Sequence, residues 1–342
     1  MTNTIVLPEP NALTEREIDP SLDLVAEIDR LRREKNAVIL AHYYQDGRIQ
    51  DIANHVGDSL DLSRKAAATT ADVIVFCGVR FMAEVAKILC PTRKVLIPDA
   101  AAGCTLEESC PPEEFRRFRD DHPDHMAVTY INCSADVKAL SDVIVTSSNA
   151  TSIVRQLPPA RPILFAPDRH LGRWVSEKTG RQMTLWHGSC VVHDQFSESF
   201  LLELMAKHPR ALVVAHPECP ETILSHAHHI GSTRSLLEYS TTAQAEEFIV
   251  ATESNLIHQM KKASPSKSFF PVPGATGGCT GGLCALCPFM AMNTMEKLYL
   301  CMVNEAPLVE MPDALIAHAR KPLERMLEMS ASPQLEIRCG TA

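Results

Sequence analysis

Several features common in other protein classes are missing from this sequence. It has no basic surplus. Against 33 lysines and arginines stand 42 aspartates and glutamates, giving a formal charge of −9, whereas a nucleic-acid partner ordinarily leaves a positive footprint. No apolar run approaches the roughly 18 residues that a membrane helix requires. The first twenty residues, MTNTIVLPEPNALTEREIDP, show neither the basic start nor the apolar core of a secretory leader. A cytoplasmic protein is therefore expected, with neither nucleic acid nor membrane as partner. There is no GxxxxGK[ST] and no GxGxxG after a strand, so nucleotide binding by those loops is unsupported.

What is present reads as a globular chain. At 342 residues, 45% hydrophobic and 22% charged, it has the length for two or three domains. Twelve cysteines are many. In a reducing compartment they serve metals, catalysis or packing more than disulfides. Residues 1–20 read as a disordered or loosely attached arm. Ser21 is placed to cap a helix whose apolar positions Leu22, Leu24, Val25, Ile28 and Leu31 keep helical spacing. Continuous apolar strands follow at 37–44, 71–78 and 94–99, with helices at about 47–67 and over 79–89 between them, and Cys104 just beyond.

The pattern then returns twice with little residue identity. Strands at 126–132, 141–149 and 162–168 lead to Cys190, and strands at 211–218, 246–253 and 267–273 lead to Cys287. A C-terminal helix is expected at about 313–329. Apolar strands alternating with helices predict parallel sheets covered on both faces, and a period of this length is a structural repeat. The expected fold is α/β. Three similar three-layer αβα domains, 21–108, 109–193 and 194–342, would stand around a pseudo-threefold axis.

Ligands in such units gather beyond the carboxyl ends of the strands. The tripeptides His42–Tyr44, Tyr130–Asn132 and His216–Glu218 lie at equivalent strand ends, and His193 lies beside Cys190. Ser59, Ser147 and Ser232–Thr233 have the look of helix caps, whose free N–H groups hold carboxylate or phosphate. HPE (216–218) sets an imidazole and a carboxylate two residues apart, a pair suited to proton transfer near neutrality, or a glutamate satisfying a helix dipole. His226, His228 and His229 look metal-like, but a partly exposed helix face explains them as well. Cys287 precedes Pro288 at a predicted helix start, where a thiolate is stabilised. Three thiols, one per unit, can hold an iron–sulfur cluster with one open iron, or form part of a zinc site that lacks its usual fourth ligand. Cys77, Cys90, Cys133 and Cys301 read as core, and Cys219 and Cys339 carry no signal. Cys110 pairs by spacing with Cys104 but reads equally as buried, while Cys279 and Cys284 could close a reversible disulfide in the glycine-rich loop.

Ten segments in order resemble the quinolinate synthase A family: AHYYQ, GDSLDL, GVRFMAE, CTLEESCP, TYIN, TSSNA, GSCVVH, HPE, GST and CPFMAMN. The resemblance spans nearly all of the chain beyond the arm. It implies one [4Fe–4S] cluster on Cys104, Cys190 and Cys287. It implies condensation of iminoaspartate with dihydroxyacetone phosphate to quinolinate, phosphate and water, with L-aspartate oxidase as a supplier of iminoaspartate. By the same resemblance His42, Ser59, Tyr130, Ile131, Asn132, Ser147, His216, Pro217, Glu218 and Thr233 contact substrate, and Tyr44, His216 and Glu218 move protons. One departure stands out. Longer members of the family carry C-x2-C-x2-C before the proline, and here Gly281 takes the first position, which puts disulfide control in doubt. The rival readings are a zinc-dependent aldolase or hydrolase and an iron–sulfur redox sensor.

Overall fold

The computed structural model describes residues 5–274 and 285–331. The strands are β1 (Ile5–Val6), β2 (Ala37–His42), β3 (His55–Gly57), β4 (Val73–Cys77), β5 (Lys94–Leu96), β6 (Met126–Tyr130) and β7 (Val143–Val145), followed by β8 (Ile163–Ala166), β9 (Met183–Leu185), β10 (Leu212–Ala215), β11 (His229–Ile230), β12 (Glu247–Ala251), β13 (Ser268–Pro271) and β14 (Leu308–Val309). They form three sheets, in the orders β1-β14-β5-β4-β2-β3, β7-β6-β8-β9 and β11-β10-β12-β13. All pairings within the three repeated units are parallel. Only β1 and β14 join antiparallel, at the far edge of the first sheet.

Each unit thus has four strands in one spatial order, second-first-third-fourth. The order reverses at the first strand, so β2, β6 and β10 mark the three places where an open parallel sheet leaves a crevice. Their sequences, such as AVILAH and MAVTY, are apolar throughout because helices cover both faces; β4, β6, β7 and β8 are buried along their whole length.

Several expectations change. The helix expected at 47–67 is two helices, Gly47–Ile52 and Ser59–Ala68, with β3 between them. Asn54 causes the break: its side chain accepts from the Ile39 amide at 2.8 Å, and its own amide donates to the Ile39 carbonyl at 2.9 Å, drawing the chain alongside β2. The cap of the first long helix, Leu24–Glu34, is Asp23, which accepts from the amides of Val25 and Ala26, whereas Ser21 bonds to Asp19. Nor are residues 5–18 loose. Ile5 is buried in the sheet edge, and the Leu13 backbone exchanges two hydrogen bonds with the Asn304 side chain.

Although both sequence ends lie outside the stretch 21–108, they complete the first sheet through β1 and β14. The C-terminal helix, Asp313–Ala331, packs on β7, on the helices Ala135–Ala139 and Ala150–Gln156, and on Arg80–Leu89. It therefore bridges the first two units. No helix among the described residues is long and apolar enough to cross a membrane. Cys279 and Cys284, which could close a disulfide, and Cys339 fall outside the described residues.

Candidate active site

The three crevices open into one cavity. Its wall contains His42 at the end of β2 and Tyr44 beyond it, Tyr130 at the end of β6 and Asn132 beyond it, and His216 and Glu218 from beyond β10. Ser59, Ser147 and Thr233 line it as well, each following the second strand of its unit. So do Cys104, Cys190 and Cys287, each following the fourth strand. Of the residues expected at the site, Ile131 and Pro217 stay out of the lining. Ile131 turns into the core, and its amide donates to the Val145 carbonyl at 2.9 Å.

Of the expected caps Ser232 holds, whereas the caps beside Ser59 and Ser147 are other residues. Asp58 caps the helix Ser59–Ala68 and Ser232 caps Thr233–Thr242. Ser59 and Thr233 are thus first-turn residues that bring hydroxyls to the cavity. Ser147 precedes a helix capped at Asn149.

Two histidines are set by the same local device. Beyond β2, the Tyr44 amide donates to His42 Nδ1 at 3.2 Å; beyond β10, the Glu218 amide donates to His216 Nδ1 at 3.4 Å. Accepting at Nδ1 leaves the proton on Nε2 in each ring. Burial pulls both rings down to about 3, against the opposing charge of Glu218. Both are neutral at physiological pH.

Glu218 holds the centre. Tyr130 Oη donates to its Oε1 at 2.6 Å, and His193 Nδ1 lies 3.0 Å from its Oε2. Burial opposes its ionisation, but His216, His193 and the donated hydrogen bonds outweigh burial and hold the carboxyl below the usual range. The far side of His193 continues the chain: Nε2 is 2.9 Å from Thr252 Oγ1, which is 2.7 Å from Tyr44 Oη. A hydroxyl, an imidazole and a carboxylate therefore stand in series between two tyrosines. Burial first and Glu218 second push both tyrosine hydroxyls well above their ordinary value, so they hold their protons. Neither Thr252 nor Glu253 was singled out in the sequence, where VATE reads as a strand end.

The three thiols sit on turns. Cys104 precedes the short helix Thr105–Glu108, Cys190 opens a turn closed by the Asp194 amide, and Cys287 one closed by the Ala291 amide. Cys287 was expected at a helix start, and a 3₁₀ turn, Met290–Met292, follows it before the helix Met295–Asn304 begins. Backbone amides point at all three sulfurs, yet burial dominates and raises every thiol, Cys287 to about 11. Glu253 Oε1 accepts from the Cys287 amide at 3.3 Å and fixes that turn. Three free thiols, one from each unit, with amides directed at the sulfurs, suit a cluster with three protein ligands. No fourth cysteine of the described residues lines the cavity. A second donor set overlaps this one: a sulfur of Cys190, a nitrogen of His193 and a carboxylate oxygen of Glu218 lie within 4.8 Å of one another.

The histidine run 226–229 carries no site. His228 Nδ1 accepts from the Val213 amide, His229 stacks on Tyr239 and bonds Ser235, and His226 pairs with Glu198.

Residues 26–328 match the family model described as Quinolinate synthetase A protein. Over 309 residues the chain is 59% identical to a quinolinate synthase of Thermosynechococcus vestitus, covering 90% of this chain and 96% of the relative. Over 308 residues it is 58% identical to a quinolinate synthase of a Synechocystis species, with the same coverage of both chains. A quinolinate synthase of a Synechococcus species is 56% identical over 313 residues, 92% of this chain and 97% of the relative.

Proposed function

The chain belongs to the quinolinate synthetase A family, and from that premise we propose that it condenses iminoaspartate with dihydroxyacetone phosphate to form quinolinate. Atom balance requires one phosphate and two waters to leave for each quinolinate made. The observation that carries this reading is the convergence of three thiols and the Tyr44–Thr252–His193–Glu218–Tyr130 series on one cavity. The three units are read as αβα domains about a pseudo-threefold axis.

Cys104, Cys190 and Cys287 would hold a [4Fe–4S] cluster. When bound, it supplies a Lewis-acidic iron with an open position. The rest of the work falls to side chains. Nε2–H of His42 and of His216 donates to substrate oxygens without adding charge, and Ser59, Ser147 and Thr233 add hydroxyl donors. Glu218 is the ionised base of the cavity and takes the proton that carbon–carbon bond formation and each dehydration release. Tyr44 and Tyr130 keep their protons, so each can protonate a leaving hydroxyl. Thr252 and His193 link Tyr44 to the carboxylate, in the order hydroxyl, imidazole, carboxylate in which the imidazole exchanges the proton and the carboxylate holds the ring in place. Iminoaspartate hydrolyses in water, which gives an L-aspartate oxidase reason to supply it close by.

The test is iron and acid-labile sulfide per chain on anaerobically purified protein, with quinolinate formation alongside. About four of each are expected, as a four-iron cluster requires, and Cys104→Ser, Cys190→Ser or Cys287→Ser should lose them. Tyr44→Phe and Glu218→Gln should keep the metal and lose turnover. Zinc without sulfide would favour a single ion on Cys190, His193 and Glu218, and with it a zinc aldolase or hydrolase. A full cluster with no turnover would favour a redox sensor.

A further inference from the structure

One hydroxyl in the cavity has no part in the roles above. Thr146, just past β7, is 2% exposed and lines the cavity, and its Oγ1 has no hydrogen-bond partner. A buried threonine hydroxyl ordinarily finds a partner, commonly a nearby carbonyl. The backbone shows what holds it in place. The Thr146 amide donates to Asn149 Oδ1 at 2.6 Å, and its carbonyl accepts from the amides of Asn149 and Ala150. Asn149 Nδ2 is fastened in turn to Ser330 Oγ at 2.9 Å. The turn is locked from behind, and a β-branched side chain has few rotamers with which to swing away.

A second unsatisfied atom stands next to it. Asn132 Oδ1 is shielded from solvent, lines the same cavity and lacks a partner. Asn132 and Thr146 lie just beyond the ends of β6 and β7, neighbours in one sheet. Two orphaned polar atoms on adjacent strand ends mark the seat of a polar ligand group. No lysine or arginine of the described residues lines the cavity, so a carboxylate held there must be met by neutral donors: the Thr146 O–H and, with the Asn132 amide turned over so that Nδ2 takes the place of Oδ1, an Asn132 N–H.

We propose that Thr146 is a further substrate-binding residue, its O–H donating to a carboxylate oxygen of the dicarboxylate substrate and product beside Asn132 and Ser147. This rests on the functional reading above.

Thr146→Val keeps the shape and removes the O–H; Thr146→Ser keeps the O–H. Quinolinate is titrated into cluster-loaded protein by calorimetry, and KM for iminoaspartate is measured in parallel. Thr146→Val should raise both the quinolinate Kd and the KM roughly tenfold, the worth of one hydrogen bond to a charged group. Its Tm should match or exceed that of the parent, because no bond within the folded protein is lost. Thr146→Ser should bind within about twofold of the parent, because it keeps that bond. An unchanged Kd in Thr146→Val overturns the assignment while leaving the functional reading intact. Equal losses in both variants with a lowered Tm also overturn it, since they make Thr146 a packing residue. Failure of the unaltered protein to bind quinolinate brings down the functional reading and this assignment together.

Discussion

His42 and His216 show how far a single residue can be read. Their positions at strand ends were plain in AHYY and AHPE, but their protonation was not, because it depends on an amide two residues on and on burial by other units. Thr252, Glu253 and Thr146 gave no signal at all. A threonine beside a strand end looks alike whether it bonds a carbonyl or faces a ligand, and only the fold distinguishes the two cases. Burial acts in opposite directions on this set. The two imidazoles fall from 6.5 to about 3. Burial raises the carboxyls of Asp168 and Glu253 well above their ordinary values, Asp168 with help from Glu218. As pH falls below 6.5, the unfolded chain takes up protons on its histidines and the folded chain does not, so these two rings remove stability. Over the same range the two carboxyls stay protonated when folded while their unfolded counterparts are still ionised, so they add stability on acidification. The expected result is a shallow acid response in metal-free protein down to about pH 4.5, the unfolded glutamate range. Replacing both histidines by glutamine should remove the opposing part. The variant should then gain about 1 kcal/mol per histidine per pH unit relative to its parent. Denaturant unfolding at several pH values measures this, and parallel pH profiles would show that the rings charge as easily folded as unfolded.

At the scale of elements, long and fully apolar strands were legible and short edge strands were not. β3, β9 and β11 each have two or three residues, HVG, MTL and HI, and each lies at the end of its sheet. A strand paired on one side needs no continuous apolar run, so its sequence shows little periodicity. Missing them left each unit one strand short, the second strand in the first and third units and the fourth in the second, and hid the shared strand order, though it left every cysteine and every strand-end tripeptide in the right place. The C-terminal helix was legible for the opposite reason, since its apolar positions recur over 19 residues; which units it covers was not legible. It buries Ile316, Ala319, Leu323 and Met326 against the first two units, and its Ser330 reaches the turn that holds Thr146. Leu323 is fully buried there. Leu323→Ala should cost about 3 kcal/mol through lost burial and the cavity left behind, read as a lower denaturant midpoint with an unchanged slope. A cost below about 1 kcal/mol would mean that the helix is a removable cover, since surface changes have effects of that size.

On the scale of the whole molecule, three copies of one strand order place three crevices around a single space, and no unit holds the site alone. Tyr130 belongs to the second sheet while the carboxylate it binds follows β10 of the third. Tyr44 follows β2 of the first sheet and bonds Thr252, just past β12 of the third. The thiols divide in the same way: Cys104 follows the first sheet, Cys190 the second and Cys287 the third. A group bound to all three would therefore tie the units together, and it would bind the folded chain far better than an unfolded one whose cysteines are scattered. Linkage then makes cofactor loading a stability term of about 2.7 kcal/mol at a hundredfold excess over the dissociation constant. For a chain of this size that is a rise in Tm of about 4 °C. Anaerobic calorimetry on loaded and stripped protein should show that rise within one transition. Cys104→Ser, Cys190→Ser and Cys287→Ser should each abolish it, whereas Cys77→Ser, in the core between β4 and the helix Met295–Asn304, should lower Tm in both forms alike. A rise that survives Cys104→Ser and Cys287→Ser but not Cys190→Ser would place the bound group on the overlapping Cys190, His193 and Glu218 donors instead, in the pocket wall between the second and third units.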